Sequence, residues 1–306
     1  MEYTMDKAFF VNGGAGRVLC AIPALEKHIK ENPDAIIIAE AWPELYLMSP
    51  TLRDKSYVPT TKNLFETFLA NRECISPEPY RLNAYYTQKC SMSQAFDILI
   101  NEHDDIPEPM DLNLELSKRD QVFGYNFVED AKNNMRKKKS IVFQPFGSGA
   151  TLEGRFIIDS TGRSFELSDV LWFIDKLKEE YAIIMMSSFP IPTDKDLGIM
   201  MPKDLGLIQW AAIVNATDGF FGCDSVGQHF ANALNKPATV VIGGTNPESI
   251  SYPNNKDFNI FDLGEGKRKF SPMRVSFDPS YDLNNEGLMI MDDKKKNEIL
   301  NVVKEY

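Results

Sequence analysis

A short apolar run, Gly219–Gly222, leads into Cys223-Asp224-Ser225-Val226-Gly227-Gln228-His229, and a helical pattern follows as far as Asn235. A helix that begins there offers unpaired amide N–H groups and the positive end of its dipole, which together suit a phosphate. Ser225 adds a hydroxyl donor, and His229 lies one turn further along the same face. Asp224 or Ser225 acting only as a helix cap, with His229 a surface residue, fits the same spacing. The next apolar run ends in Gly243-Gly244-Thr245-Asn246-Pro247, where small residues let the backbone approach a ligand and Thr245 and Asn246 add polar contacts. A third run closes in Phe146-Gly147-Ser148-Gly149. Each turn alone could be a plain connection. Three of them at strand carboxyl ends in one domain converge on one crevice, and the chemistry they offer is phosphate binding.

The amino-terminal segment carries a different set. Ala8–Val11 reads as a buried strand and is followed by Asn12-Gly13-Gly14-Ala15-Gly16-Arg17. The guanidinium of Arg17 is permanently charged and cannot serve as a base, but it can hold a phosphate of a donor or an acceptor. Glu40 closes the second apolar run, Ala35–Ala39, and would project from the same sheet edge as the loop at Asn12, Gly13 and Gly14, with Glu44 one turn on. A carboxylate at that edge could take a proton; an ordinary surface carboxylate is the competing reading. His28 falls on the polar side of the first helix and His103 in an acidic loop, both in structural or solvated roles. Tyr85-Tyr86 with Lys89 could form part of an acceptor surface, although packing accounts for most aromatics of this kind.

The elements that must position these residues follow from apolar periodicity. Val18, Ile22, Leu25 and Ile29 fall at helical spacing, and Asn32-Pro33 ends the helix. Ala8–Val11, this helix and Ala35–Ala39 make a β-α-β unit with parallel strands. The pattern weakens between Met48 and Asn126, apart from a helix at Ser91–Asn101 capped by Ser91. The polar stretch Glu129–Ser140 reads as a helix end or linker. The second half alternates strands at Ile141–Gln144, Ala182–Met186, Gly219–Gly222 and Ala238–Ile242 with helices at Ser168–Tyr181, Leu205–Ala216 and Ser225–Asn235. The expected class is α/β: two doubly wound Rossmann-like domains, 1–134 and 135–290, facing across a cleft, with a final helix at 291–306.

Composition narrows the function classes. At 306 residues the chain exceeds one ordinary core. No apolar run approaches the about 18 residues of a membrane span, and the start does not read as a signal peptide. A cytoplasmic location is therefore expected. The four cysteines show neither zinc spacing nor a disulfide framework, and no metal site is expected. The net charge of −11 argues against a broad nucleic-acid surface. Two local basic runs exist, Arg136–Lys139 and Lys267–Lys269 with Arg274 nearby, each of which is also an ordinary solvated loop. A dinucleotide-binding dehydrogenase is disfavoured, because Gly13-Gly14-Ala15-Gly16 lacks the G-x-G-x-x-G spacing.

Gly222–Leu234 followed by Gly243-Gly244-Thr245-Asn246-Pro247 resembles the donor-binding half of glycosyltransferase family nine, the lipopolysaccharide heptosyltransferase-like enzymes, with the pattern D-[ST]-G-x-x-H-x-x-x-A and then G-x-T-[DN]-P. Here Val226 stands where the family has glycine, with Gly227 one place later. Gln144–Gly149 resembles that family's P-G-[ST] turn, and Gly14–Leu25 its G-D-[VI]-x-x-x-x-P-x-L opening. The segment from Met48 to Asn134 matches no part of the family pattern. The resemblance implies a GT-B architecture and metal-independent, inverting transfer from a nucleotide sugar, UDP- or ADP-linked, with no further cofactor. It assigns Gly147, Ser148, Gly149, Asp224, Ser225, Gly227, His229, Gly244 and Thr245 to the donor diphosphate, and Asn12, Gly13, Gly14 and Arg17 to the acceptor side. Arg17 departs from the family, which places its acidic residue there; Glu40 and Arg17 then become the expected catalytic pair. In overall character the chain is similar to family-nine-like transferases of large tailed phages. That similarity implies hydroxymethylated cytosine in double-stranded DNA as acceptor, with arabinose from UDP-arabinose as one example, acting in the host cytoplasm. Transfer to lipopolysaccharide or another glycan is the alternative, and a nucleotide-sugar-binding protein without catalysis is a third.

Overall fold

The computed structural model describes residues 5–159, 161–268 and 287–306. They form two compact units, 1–115 and 116–306.

The first unit opens with β1 (Asp6–Val11), α1 (Ala15–Glu31) and β2 (Ile36–Ala39). β1 and β2 pair in parallel, Ala8 opposite Ile36, as the continuous apolar runs predict. A 3-10 turn at Pro43–Met48 leads to β3 (Ser56–Tyr57), and β4 (Arg72–Ile75) follows. The sheet is wholly parallel in the order β3-β2-β1-β4. Short α2 (Asn83–Tyr86) precedes α3 (Met92–Asn101), whose Ser91 forms a capping box with Gln94. His28 is buried rather than solvated: its ring meets Phe9 edge-on at 4.8 Å and its Nδ1 lies 3.0 Å from Asn101 Oδ1. His103 joins Lys27, 2.8 Å away, and the buried Asp97. Tyr85 is fully buried and Tyr46 likewise, so Tyr85 belongs to the core.

The second unit begins with α4 (Lys118–Met135), which absorbs most of the segment expected to be a linker. It stays with this unit because Gly124 lets it settle against the next helix but one: a Cβ at Gly124 would lie 2.2 Å from the Ala212 carbonyl oxygen. The division therefore falls at 115/116 instead of 134/135. β5 (Lys139–Gln144) leads into a hairpin, β6 (Ala150–Glu153) and β7 (Phe156–Asp159), that periodicity did not anticipate. Then come α5 (Leu167–Leu177), β8 (Tyr181–Met185), α6 (Leu207–Ala216), β9 (Gly219–Cys223), α7 (Val226–Ala233), β10 (Ala238–Ile242), short α8 (Pro247–Ile250) and β11 (Phe258–Asp262). α9 (Asp293–Val303) is bound into the same unit, with Tyr181 Oη donating to the carbonyl oxygens of Val303 and Tyr306.

The five-stranded sheet is parallel in the order β11-β10-β9-β5-β8. Counted within the unit this is 2-1-3-4-5 read from the other edge, the doubly wound order whose direction of winding reverses between β5 and β9. Phe143 and Phe221 face each other in register across that junction, stacked at 4.7 Å. In the first sheet the reversal falls between β1 and β4. Ligands in such sheets bind outside the strand carboxyl ends at the reversal, so topology alone nominates the loops after β5 and β9 and those after β1 and β4. Among the described residues, no helix is long and apolar enough to cross a membrane.

Candidate functional site

In the second unit the junction is built on Gln144, the last residue of β5. Its Oε1 accepts the Gly227 N–H at 2.9 Å, and its Nε2 donates to Ser225 Oγ at 3.1 Å. The side chain is nearly inaccessible, so it fixes the turn between β9 and α7 from beneath. Gly227 is required by this contact, since a Cβ there would sit 2.3 Å from Phe220 Cε2 and 2.6 Å from Gln144 Oε1. The Gly227 amide is thus already satisfied by Gln144 and is not an open phosphate donor. Ser225 occupies the N-cap position but makes no side-chain cap bond. The plain-cap reading of Asp224 and Ser225 therefore does not hold.

Asp224 is buried, with Oδ1 accepting from Gln228 Nε2 at 2.7 Å and Oδ2 from Thr245 Oγ1 at 2.9 Å. Burial pushes its pKa up, against the opposing pull of Arg163, Thr245 and Gln228. Thr245 is thereby joined to the β9 turn, and Gly244 to the loop after β7 through its N–H on the Gly162 carbonyl at 3.2 Å. His229 is buried too. Its Nδ1 lies 2.7 Å from Tyr252 Oη, and burial holds the ring far below the usual histidine range, at about 4. At neutral pH His229 offers a hydrogen bond and no charge.

The loop after β7 supplies what sequence reasoning missed. Arg163 donates from Nη2 to Ser148 Oγ at 3.2 Å, from Nε to Thr161 Oγ1 at 3.0 Å and from Nη1 to the Asp224 carbonyl at 3.5 Å. Its guanidinium also stands 3.9 Å from the Asp224 carboxylate. The loop is held by Asp159, which accepts from the backbone N–H of Thr161 at 2.8 Å and of Ser164 at 2.9 Å. Burial would raise the Asp159 pKa, but bonds from Ser164 and Thr161, with Arg163 nearby, lower it. Ser164 Oγ in turn accepts the Gly147 N–H at 3.0 Å, and a Cβ at Gly149 would meet Thr161 Cγ2 at 2.5 Å. The loop after β7 therefore joins all three glycine-rich turns and places one guanidinium among Gly147, Ser148, Gly149, Asp224 and Thr245. The two-residue Gly154-Arg155 turn ahead of the apolar run Phe156–Ile158 was the available signal for that hairpin.

Of the two basic runs, the first does not join this group, and the second reaches only its third turn, through Arg268 on the Gly243 carbonyl. Arg136–Lys139 lies at the amino end of β5, on the opposite edge of the sheet, and Lys137 Nζ donates to the Glu179 carbonyl at 2.8 Å. Arg268 is engaged by the Asp262 carboxylate and the Gly243 carbonyl. Lys269 and Arg274 lie outside the described residues.

In the first unit, Arg17 has partners of its own. Its Nη1 is 3.1 Å from Glu78 Oε1, its Nη2 donates to the Pro77 carbonyl at 3.2 Å, and its guanidinium carbon sits 5.2 Å over the Tyr80 ring. Glu78 follows β4, so the pair bridges the loops at the β1/β4 reversal. Glu40 is exposed at the end of β2, and its N–H is shared between the Val11 carbonyl at 3.2 Å and the Ile38 carbonyl at 3.0 Å. Asn12, Gly13 and Gly14 are exposed beside it, and Gly13 takes a φ of 95° that favours glycine.

No protein-family model matches the sequence, and no curated protein matches it either. Solved structures do. A family 9 glycosyltransferase from Veillonella parvula aligns over 100% of this chain and 98% of its own with a TM-score of 0.64 at 11% identity. The Escherichia coli ADP-heptose lipopolysaccharide heptosyltransferase II aligns over 99% of this chain and 100% of its own, with a TM-score of 0.59 at 14% identity. The E. coli heptosyltransferase WaaC with ADP covers 98% and 99%, with a TM-score of 0.54 at 12% identity. The chain has the GT-B fold of these glycosyltransferases, as the sequence resemblance implied.

Proposed function

We propose that this chain is a nucleotide-sugar-dependent glycosyltransferase whose second unit holds the donor diphosphate. The observation that carries the reading is Arg163, set between Ser148 and Asp224 where the winding of the second sheet reverses. A guanidinium with neighbouring hydroxyls from Ser148, Ser225 and Thr245 meets the charge that builds on a departing diphosphate. The acceptor hydroxyl attacks the anomeric carbon opposite the diphosphate. The carbon–oxygen bond to the diphosphate breaks with its electron pair leaving on that group, and configuration inverts. The hydroxyl proton passes to a carboxylate, for which Glu40 is the residue proposed. This chemistry calls for no metal and no cofactor beyond the nucleotide sugar, and a cytoplasmic setting supplies that donor.

Two acceptors were expected, hydroxymethylated cytosine in phage DNA and a glycan. The glycan reading has the better support in the chain: Arg17 is neutralised by Glu78, and Arg136–Lys139 lies at the edge away from the glycine-rich turns. The solved neighbours include enzymes whose names specify ADP-heptose.

Thermal shift with UDP, ADP, GDP and their sugar conjugates tests the donor site. A ligand at a hundred times its dissociation constant adds about 2.7 kcal/mol of stability. One nucleotide diphosphate should shift the wild type and fail to shift a Ser225→Ala, Arg163→Ala double variant. Absence of any shift would remove the proposal's support. A shift without turnover on any acceptor, glycan or hydroxymethylated DNA, would leave the non-catalytic binding protein.

A further inference from the structure

Trp42 stands out from the other two tryptophans. Its indole is 41% exposed, whereas Trp210 is buried and Trp172 partly so. Its backbone is left-handed, φ 51° and ψ 52°, a conformation bulky residues rarely adopt. The indole is nevertheless fixed, because Nε1 donates to the Gly13 carbonyl at 3.0 Å. Gly13 is itself left-handed. Two residues in unusual backbone conformations, on the loops after β1 and β2, are therefore locked to one another with an aromatic face left in solvent. Backbone strain of this kind is held in place at ligand clamps.

The surroundings specify the ligand. Glu40 is exposed two residues before Trp42, and Glu44 follows two residues after it. Beneath them Tyr46 is fully buried, with a hydroxyl that has no hydrogen-bond partner among the described residues, and the charge of Glu40 acts on it. Arg17, in the first turn of α1 and packed against Gly13, is paired with Glu78. An exposed indole beside carboxylates fits the apolar C–H face of a sugar ring, whose hydroxyls donate to the carboxylates. A phosphorylated acceptor would meet the carboxylates of Glu40 and Glu44 there, with Arg17, beside Gly13, already engaged by Glu78.

We infer that Trp42 is the stacking platform for the acceptor, an uncharged sugar ring, at the carboxyl edge of the first sheet beside Glu40. The inference rests on the transferase reading and names the acceptor class of that reaction.

The test uses the full chain. Emission from Trp42 is obtained by difference between the wild type and Trp42→Phe, during titration with maltose, cellobiose, lactose and chitobiose. A duplex oligonucleotide containing hydroxymethylcytosine is titrated in parallel. At least one sugar should quench and shift the Trp42 emission, and calorimetry should show Trp42→Ala binding that sugar about tenfold more weakly. The nucleotide-induced thermal shift should be the same in all three proteins, which also shows that the variants fold. Failure of every sugar to perturb Trp42 overturns the inference, as does a sugar response that survives in Trp42→Ala, or a response to the oligonucleotide alone. Loss of the nucleotide shift in the wild type would instead count against the transferase reading, so the two failures are separable.

Discussion

Gln144 Oε1 accepts the N–H of Gly227 at 2.9 Å, and this one bond ties the end of β5 to the start of α7 across the reversal of the second sheet. The same side chain reaches Ser225. Gln144→Leu keeps the volume and removes both partners, which leaves a buried amide unsatisfied at a cost of about 1–3 kcal/mol. Urea unfolding should report that loss, together with weaker nucleotide binding. Gln144→Glu keeps an acceptor for Gly227 but adds charge where a diphosphate is proposed, so it should lower nucleotide affinity more than stability. Equal effects of the two substitutions on nucleotide binding would argue that no anion binds there.

Arg163 separates charge from geometry. Arg163→Lys keeps a cation but loses the planar set of donors that spans Ser148, Thr161 and the Asp224 carbonyl. Nucleotide diphosphate affinity, measured by calorimetry, should fall modestly in Arg163→Lys and by about tenfold or more in Arg163→Ala, in line with a charged hydrogen bond. Unchanged affinity in Arg163→Ala would place the diphosphate elsewhere.

Much of this arrangement could be read from residue order, and the remainder could not for identifiable reasons. The β1-α1-β2 unit was legible because Ile36, Ile37 and Ile38 are buried on both faces and leave a continuous apolar signal. The turns at Gly147, Asp224 and Gly244 were legible because small and polar residues end such runs. β4 was not, since Arg72–Ile75 lies at a sheet edge and only Arg72 and Ile75 are partly covered. The burial of His28 was not legible, because α1 is buried around most of its circumference and its polar-looking face packs on Phe9 and Asn101. Arg163 was missed because its role depends on a hairpin bringing a turn back to Ser148 and Asp224, a relation between distant segments that periodicity does not encode. The boundary was displaced because α4 is polar along its length and joins its unit through a backbone contact at a glycine.

That contact makes a prediction of its own. Alanine at position 124 improves helix propensity by about 1 kcal/mol, yet its Cβ would lie 2.2 Å from the Ala212 carbonyl oxygen and 3.1 Å from the Ala212 Cβ. The obstacle is backbone, so α4 or α6 must move, at a cost of about 1–3 kcal/mol. Gly124→Ala should therefore lower the urea midpoint. A raised midpoint would mean that the two helices separate easily and that α4 is not firmly part of the second unit.

His229 supplies a pH dependence whose sign is fixed by its burial. In the unfolded chain its ring takes up a proton below a pKa near 6.5; in the fold it does so only at about 4. Between these values the unfolded state binds the extra proton, so stability rises with pH. The stabilisation is complete above pH 6.5 and is lost as pH falls through 4, an effect of about 3 kcal/mol at most. Many carboxylates titrate over the same range, so the measurement is a difference: urea unfolding of the wild type and of His229→Phe, each from pH 4 to 7.5. The wild type should lose stability relative to His229→Phe as the solution is acidified, whatever the offset caused by losing the Tyr252 contact. A constant difference across the range would show that His229 binds a proton as readily in the fold as out of it, and a charged His229 would then stand beside the proposed diphosphate.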